Sequence, residues 1–586
     1  MNTKIRILRF TTSIVLLTQV CSYSQLALSA ESEPVEPTTG KKVQTPILRD
    51  LYQAYLKLDP GRAMKYVPRL ILTSSKNTLS QPQKRLQLNR EFLLAGYAFS
   101  LDDNSQATLN LYTTAYLFAP EDPLTTCLLA ESLRTNCLYA KEEQILKVLK
   151  SLQNKPSFVY ATLASDALRK NSLAEAENFA REGLKVKTSD DSASLDILLA
   201  RIMVRQGIGR PSGEQFRKAA LATENDYLKA LLLADAAFMQ EDLETNLKQL
   251  RKAGTILPAD PAWHNKMANY QFGQNDSQAG FDELITAVNC KRSSAESYTN
   301  LANYLKSEGK IDQARKTVKR LELLNSNSPF VPALEGDIYR TEGRFKEAIS
   351  CYEETLRRNP MHVRSYADIA NIYVQSGKKD AALKKMKNCV DLMPDYWRSQ
   401  FMYSSILDRC GKTSEAIESA SKGLALLVVP ENDLNQLARY YAARSHALLG
   451  TSFYRENNRE KAISEAVAFN RLKFQPIIPD SLKFVSLRPG RLTFSDDLSD
   501  RDPQIRAALA DMLLETNQFD NSIKEYREAI NLSPNDKALH SYLLHTLAQK
   551  GDWVEAAKQN FVLSNKILKE APGAVARWMK QEKSED

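Results

Sequence analysis

The chain has 586 residues, with 79 Lys and Arg against 70 Asp and Glu, and it contains only 20 Gly and 23 Pro. This low Gly and Pro content excludes a collagen-like or low-complexity protein. Because 43% of the residues are hydrophobic and 25% are charged, the chain can bury enough apolar surface to offset the entropy cost of folding, which excludes global disorder. Length alone suggests about four domains, unless the sequence repeats itself.

The first thirty residues have the pattern of a targeting segment. Three basic residues precede an apolar run centred on residues 14–17, and small residues follow up to Ala30. This pattern predicts a secretory signal peptide over 1–30, cleaved near Ala30, and therefore an exported protein, periplasmic or secreted. An uncleaved anchor and a lipid anchor on Cys21 are the alternatives.

Removal of this segment reduces the formal net charge from +9 to +6, because it contains three basic and no acidic residues. So small a balance does not indicate a nucleic-acid partner, and no later segment is apolar enough to predict a transmembrane span. For the cysteines that remain, disulfide bonds and buried free thiols are two alternatives, and the sequence does not determine how the cysteines would pair. These cysteines are Cys127, Cys137, Cys290, Cys351, Cys389 and Cys410.

A period of 34 residues organises the centre of the chain. Glycines recur at this step at Gly309, Gly343, Gly377 and Gly411, and alanines recur five residues after each of them at Ala314, Ala348, Ala382 and Ala416. Glycine ends a helix by entering the left-handed conformation, and apolar residues on both sides of it fall at three- and four-residue steps. Each unit is therefore predicted to be a helix, a tight turn and a second helix.

This period and pattern of small and large residues resembles the tetratricopeptide repeat family. The resemblance is strong over 295–428, good over 503–570 and degenerate upstream, for instance at Leu199-Ala200, Met203 and Gly207. It implies an all-α, right-handed superhelical α-solenoid of antiparallel helix pairs. About thirteen or fourteen pairs are expected between residues 47 and 570.

The composition shifts along the chain predict its further organisation. The predicted segments are a flexible leader (31–45), N-terminal capping helices (46–88), degenerate repeats (89–294), well-formed repeats (295–428), an atypical repeat (429–471), an irregular insert (472–502), C-terminal repeats (503–570) and a capping helix with tail (571–586). The insert contains Pro489-Gly490 between apolar residues, so a short β-hairpin is the alternative to an irregular loop.

Sequence motifs of catalysis are absent: there is no phosphate-binding glycine loop, GxSxG, HExxH or CxxC. The five histidines are spread over distant units and do not form a metal-binding pattern. The sequence therefore predicts a protein that is not an enzyme and that needs no cofactor or metal.

One column of polar residues repeats with the same 34-residue step, directly after the small residue of the first helix of each unit. It consists of Asn269, Asn303, Asp337, Asn371 and Ser405. In the family that the chain resembles, first helices line the concave surface, where an amide can both donate to and accept from a peptide backbone. We predict that this column binds peptide, and the alternative is that these are simply exposed polar positions.

Basic residues on the second helices, among them Lys316, Lys319, Arg357 and Arg358, are interleaved with acids and are interpreted as a solvated face. Contact with an anionic polymer or a lipid headgroup is the alternative. The resemblance implies an exported scaffold that binds protein or peptide partners, as in cell-envelope or exopolysaccharide assembly. A module that binds cell-envelope polysaccharide is the alternative function, and an enzyme with a concealed site is a third.

Overall fold

The computed structural model describes residues 105–186, 192–290, 295–472 and 502–570, together with a few helical positions between 85 and 96. The predicted signal peptide and leader, the tail over 571–586, and most of the capping segment (46–88) and of the insert (472–502) lie outside these residues. Regular structure within the described residues is helical, so the all-α prediction is confirmed. The chain divides into unit 1 (Met1–Tyr396) and unit 2 (Trp397–Asp586).

After the few helical positions between 85 and 96, the described residues of unit 1 form one helix followed by eight helix pairs. They are α1 (Ser105–Phe118), α2 (Pro123–Thr135), α3 (Tyr139–Ser151), α4 (Ser157–Arg169), α5 (Leu173–Val186), α6 (Ser192–Arg205), α7 (Arg210–Leu221), α8 (Asp226–Met239), α9 (Leu243–Ile256), α10 (Pro261–Gly273), α11 (Ser277–Asn289), α12 (Ala295–Ser307), α13 (Ile311–Leu324), α14 (Phe330–Thr341), α15 (Phe345–Arg358), α16 (Val363–Gln375) and α17 (Lys379–Leu392).

The part of unit 2 that the structure describes forms four more pairs. They are α18 (Trp397–Arg409), α19 (Thr413–Ala425), α20 (Gln436–Arg455), α21 (Arg459–Leu472), α22 (Pro503–Glu515), α23 (Phe519–Leu532), α24 (Lys537–Lys550) and α25 (Trp553–Glu570). In both units the even-numbered helix is the first helix of its pair and the following odd-numbered helix is the second. Short turns between the two make the helices of a pair antiparallel neighbours.

The turn inside each pair explains the glycine period. Gly309, Gly343, Gly377 and Gly411 all have positive φ, between 70° and 83°, as predicted. After the first of these glycines, the amide of Lys310 donates to the carbonyl oxygen of Leu305 at 2.8 Å, which is the Schellman bond that closes a helix end.

The same conformation recurs upstream in pairs where the sequence lacks glycine. Cys137, Asn171, Glu241 and Asn275 have φ between 57° and 62° at the corresponding turns. Asparagine tolerates the left-handed region better than most residues, so it substitutes for glycine at two of these turns. The repeat therefore extends through the region where the sequence pattern is degenerate.

Small residues let the two helices of a pair approach closely. Ala314, Ala348 and Ala382 are completely buried where the second helix meets the first. At Gly336 an added Cβ would lie 2.7 Å from the ring of Tyr352, a buried side chain on the second helix of the same pair. Each pair thus interlocks a small residue with a large one, and neighbouring pairs share the resulting core.

First helices lie on the inner side of each unit's curvature. Those of neighbouring pairs pack directly on one another, as for α2 with α4, α12 with α14 and α20 with α22. Within the described residues, second helices of neighbouring pairs do not pack on one another to that extent. Because the crowded side of a curved ribbon is its concave side, the concave surface is formed by the first helices.

Repeat packing continues across the insert. Helix α22 packs on both α20 and α21, and the amide of Asn470 donates to the carbonyl oxygen of Ala508 at 3.2 Å. The helices that flank the insert are therefore stacked as consecutive pairs.

Two cysteines belong to the core of unit 1. Cys127 and Cys389 are fully buried free thiols, and burial raises the pKa of each to about 12. At neutral pH both are therefore protonated and serve as small apolar side chains. None of the helices among the described residues has the length and apolar character that crossing a membrane requires.

Candidate functional site

The structure places all five predicted column residues on first helices. Asn269 on α10 and Ser405 on α18 are exposed, and Asn303 on α12 and Asn371 on α16 are half-buried. Asp337 on α14 differs, because only 3% of it is exposed. Four of the five belong to unit 1, whereas Ser405 belongs to unit 2. The peptide-binding role of the column stays a prediction.

Asp337 is the most heavily engaged member of the column. The hydroxyl of Tyr352 donates to its Oδ1 at 2.7 Å, Arg364 lies 2.9 Å from its Oδ2, and Lys306 also contacts Oδ2. Burial opposes the charge of this carboxylate, but Arg364 and Lys306 outweigh burial and hold its pKa below the usual 3.8. Asp337 thereby joins α12, α14, α15 and α16.

Polar contacts of the same kind connect the other first helices of unit 1. Asn265 on α10 donates to the hydroxyl of Ser297 on α12 at 2.8 Å and accepts from Asn300 at 3.4 Å. One step upstream, Lys266 forms an ion pair with Asp235 on α8. The first helices from α8 to α16 thus share one continuous row of polar side chains, which we call the inner row.

Arg201 on α6 extends this row towards the N-terminus. Its side chain reaches solvent, yet the surrounding protein removes enough hydration to lower its pKa, while Asp235 and Glu296 act in the opposite direction. Glu296 belongs to α12, three pairs further along the chain. The inner row therefore carries opposite charges on first helices up to three pairs apart.

Sequence reasoning identified the column but missed most of the inner row. Asn265, Asn300, Lys306 and Arg364 do not recur at one fixed position, so the search for a 34-residue step could not find them. A recurring signal did exist for Asp337: an Asp is followed fifteen residues later by Tyr both at 337/352 and at 511/526. The second pair forms the same contact, at 2.6 Å.

Several basic residues of the second helices form ion pairs with acids. Arg357 and Arg358 both contact Glu354, at 2.6 and 2.7 Å, and Lys385 lies 3.5 Å from Glu353. These contacts agree with the interpretation of this face as a solvated surface.

Histidines bridge the two helices of a pair. The Nδ1 atom of His264 lies 2.5 Å from Glu283, and that of His446 lies 2.7 Å from Glu465, each partner nineteen residues further along. His540 contacts Gln559 at the same separation, at 2.7 Å. Across the described part of the chain, no three His, Cys, Asp or Glu residues come together as a metal site would require.

Comparisons with known proteins follow the repeat. A tetratricopeptide repeat family model matches residues 334–387, and a second one matches residues 503–536. The chain is 28% identical over 118 residues to Hsp70-Hsp90 organizing protein 3 of Arabidopsis thaliana, covering 20% of this chain and 21% of the relative. It is 23% identical over 146 residues to U-box domain-containing protein 70 of Oryza sativa subsp. japonica, covering 25% and 18%. The match therefore spans only about a fifth of the length of these relatives.

Solved structures give similar matches at low identity. A crystal structure of MamA is 21% identical, with 27% of this chain and 94% of that chain covered and a TM-score of 0.24. The Cut9–Hcn1 structure is 13% identical, with 90% and 99% covered and a TM-score of 0.34. Human IFIT1 with m7Gppp-AAAA is 14% identical, with 74% and 95% covered and a TM-score of 0.37. On the family models and the helix pairs described above, this chain contains tetratricopeptide repeats.

Proposed function

We propose that the protein is a non-enzymatic scaffold that binds a polypeptide partner along the inner row of unit 1. The observation that supports this most is the continuity of the row: polar side chains on successive first helices contact one another from Asp235 to Arg364. Such a surface offers donors and acceptors at regular intervals along a groove, as an extended backbone requires.

The charges of the row favour a polypeptide over a polyanion. Lys266 and Lys306 are each neutralised by an aspartate on a neighbouring first helix. A nucleic acid or acidic polysaccharide is held by basic side chains that are free to meet its charges, and here they are already paired. Amides such as Asn269 and Asn303 bind uncharged peptide groups without a charge requirement.

The names of the relatives support the same class of partner. The Hsp70-Hsp90 organizing proteins are named for an action on two other proteins. We extend to this chain only the general property of binding protein, because the match covers about a fifth of those relatives. Binding of a polysaccharide has less support, because the contacts between helices that define the inner row are made by amide, carboxylate and basic side chains rather than by stacked aromatic rings.

A triple substitution tests the proposed site. Replacing Asn269, Asn303 and Asn371 together with alanine should reduce recovery of a bound protein partner in affinity capture by at least about tenfold, because each lost amide contact contributes about 0.5–1.5 kcal/mol. The measurement is quantitative capture by the intact protein from soluble and membrane fractions.

Matched control positions are available on the second helices. Asn289, Asn388 and Asn531 are exposed asparagines on α11, α17 and α23. Their joint replacement by alanine should leave capture unchanged. Equal recovery by the two triple variants would contradict a role of the column in binding.

We further propose that the protein acts after export, in assembly of the cell envelope or an exopolysaccharide. The support is the basic, apolar and small-residue order of residues 1–30. Sequencing of the mature N-terminus should find it near Glu31. A mature protein that retains residues 1–30 in the cytoplasm would contradict export.

A further inference from the structure

Two contacts in unit 1 join residues that are far apart along the chain. The amide of Asn325 donates to the carbonyl oxygen of Thr135 at 3.0 Å, and the amide of Asn171 donates to the carbonyl oxygen of Met361 at 3.2 Å. Both contacts join residues 190 positions apart. We call this line of contact the seam.

The seam joins opposite edges of the helical ribbon. Thr135 and Asn171 lie at turns between the first and second helix of a pair, which form one edge. Asn325 and Met361 lie at connections between one pair and the next, which form the other edge. A separation of 190 residues equals about five to six 34-residue pairs. One winding of unit 1 therefore spans about five to six pairs. The turns within the pairs of one winding touch the connections between the pairs of the next winding.

The winding also sets the width of the interior. About five to six first helices surround one turn. The charge of Glu296 on α12 acts on Arg201 on α6, three pairs earlier, which is about half a winding. With helix axes about 8–10 Å apart around the ring and helix radii of about 5 Å, the open width is on the order of 10 Å or less.

We infer that the first helices of unit 1 enclose a channel, closed along its side by the seam, that takes a single extended polypeptide segment. This inference rests on the proposed function and adds to it the kind of partner: an unfolded segment that threads by a free end. A folded domain of 100 residues, with a radius of gyration of about 13 Å, does not fit. The paired charges of the inner row favour a polypeptide over single-stranded RNA.

A cysteine already present at the seam allows a direct test. The Sγ atom of Cys137 lies 3.8 Å from the amide nitrogen of Asn325. In the full chain carrying Asn325→Cys, mild oxidation should form a disulfide between residues 137 and 325, identified by peptide mapping. Glu322→Cys, at an exposed position in the last turn of α13 and three residues before Asn325, is the matched control and should not pair with Cys137. If neither oxidation nor a short bismaleimide links 137 to 325, the seam is refuted.

The probes are unfolded polypeptides of mixed charge, about 60 residues long so that they can extend beyond the channel at roughly 3.3 Å per residue. They carry a folded fluorescent protein at neither end, at one end or at both ends. The locked Asn325→Cys protein should bind the first two probes. Its association rate for the doubly blocked probe should fall at least about tenfold and recover on reduction, because only an opened seam admits that probe.

The possible results separate the channel from the proposed function. If the locked protein binds the doubly blocked probe as fast as the open one, the binding surface is not enclosed, although the scaffold function survives. If neither form binds any polypeptide probe, the proposed function itself fails. Tighter binding of a single-stranded RNA probe than of the unblocked polypeptide would overturn the assignment of the occupant.

Discussion

Replacing Glu525 with glutamine should lower the free energy of unfolding of unit 2 by about 3 kcal/mol, because it leaves two arginines without their shared counter-charge. Only 1% of Glu525 is exposed. Arg459 contacts both of its oxygens at 3.0 and 2.9 Å, Arg506 lies at 3.0 Å, and the hydroxyl of Tyr454 donates to it at 2.8 Å. These partners come from both sides of the insert, so the carboxylate joins the pairs that the insert separates in sequence.

A surface pair in the same unit provides the control. Glu418 and Lys422 form an exposed ion pair at 2.7 Å on α19. Glu418→Gln should change stability by no more than about 0.5 kcal/mol, because solvent screens such a pair. Urea unfolding together with hydrogen exchange of α20–α23 measures both variants. Similar effects of the two substitutions would show that Glu525 does not hold together the helix pairs on the two sides of the insert.

The Glu525 contribution should also depend on pH. Burial opposes its charge, but Arg459, Tyr454 and Arg506 outweigh burial, so the pKa of Glu525 in the folded state lies below the usual 4.5. A carboxylate whose pKa is lowered by folding stabilises the protein above its unfolded pKa and loses this effect as pH falls through the folded value. The stability difference between the wild type and Glu525→Gln should therefore be full near neutral pH and shrink below about pH 4.5.

The helix pairs could be predicted from the sequence because their packing is local. Gly309 and Ala314 mark a turn and a close helix contact within one pair, and both recur at every step of the central block. The upstream turns at Asn171 and Asn275 were harder to recognise, since asparagine also serves many other loops. A search for glycine or asparagine at the 34-residue step would have found Asn275, which lies 34 residues before Gly309. It would have missed Asn171, which lies 36 residues before Gly207.

The seam could not be predicted in this way. Asn325 and Thr135 are 190 residues apart, and their contact depends on the small rotation between successive pairs, added over five to six pairs. No single residue determines that rotation. The engagement of Asp337 was also missed, because its partners Lys306 and Arg364 lie on neighbouring first helices at positions outside the predicted column.

Asp337→Asn should destabilise unit 1 by about 3 kcal/mol, because it leaves Lys306 and Arg364 close together without the shared carboxylate. Asn303→Ala, on the neighbouring first helix, removes a half-buried amide that accepts from Lys306 at 3.3 Å and should cost less than about 1 kcal/mol. Both variants are compared by urea unfolding and by partner capture at a temperature where each remains folded.

The comparison of these two variants distinguishes a column position that binds the partner from one that stabilises the fold. Asn303→Ala should weaken capture while keeping stability, whereas Asp337→Asn should mainly lower stability, because its carboxylate already faces Tyr352, Lys306 and Arg364. Unchanged stability of Asp337→Asn together with a loss of capture would make Asp337 a direct ligand contact. The repeat of the same carboxylate–tyrosine contact at Asp511 and Tyr526 in unit 2 favours the structural role, since a pair that recurs at an equivalent position in another unit serves the packing of the repeat.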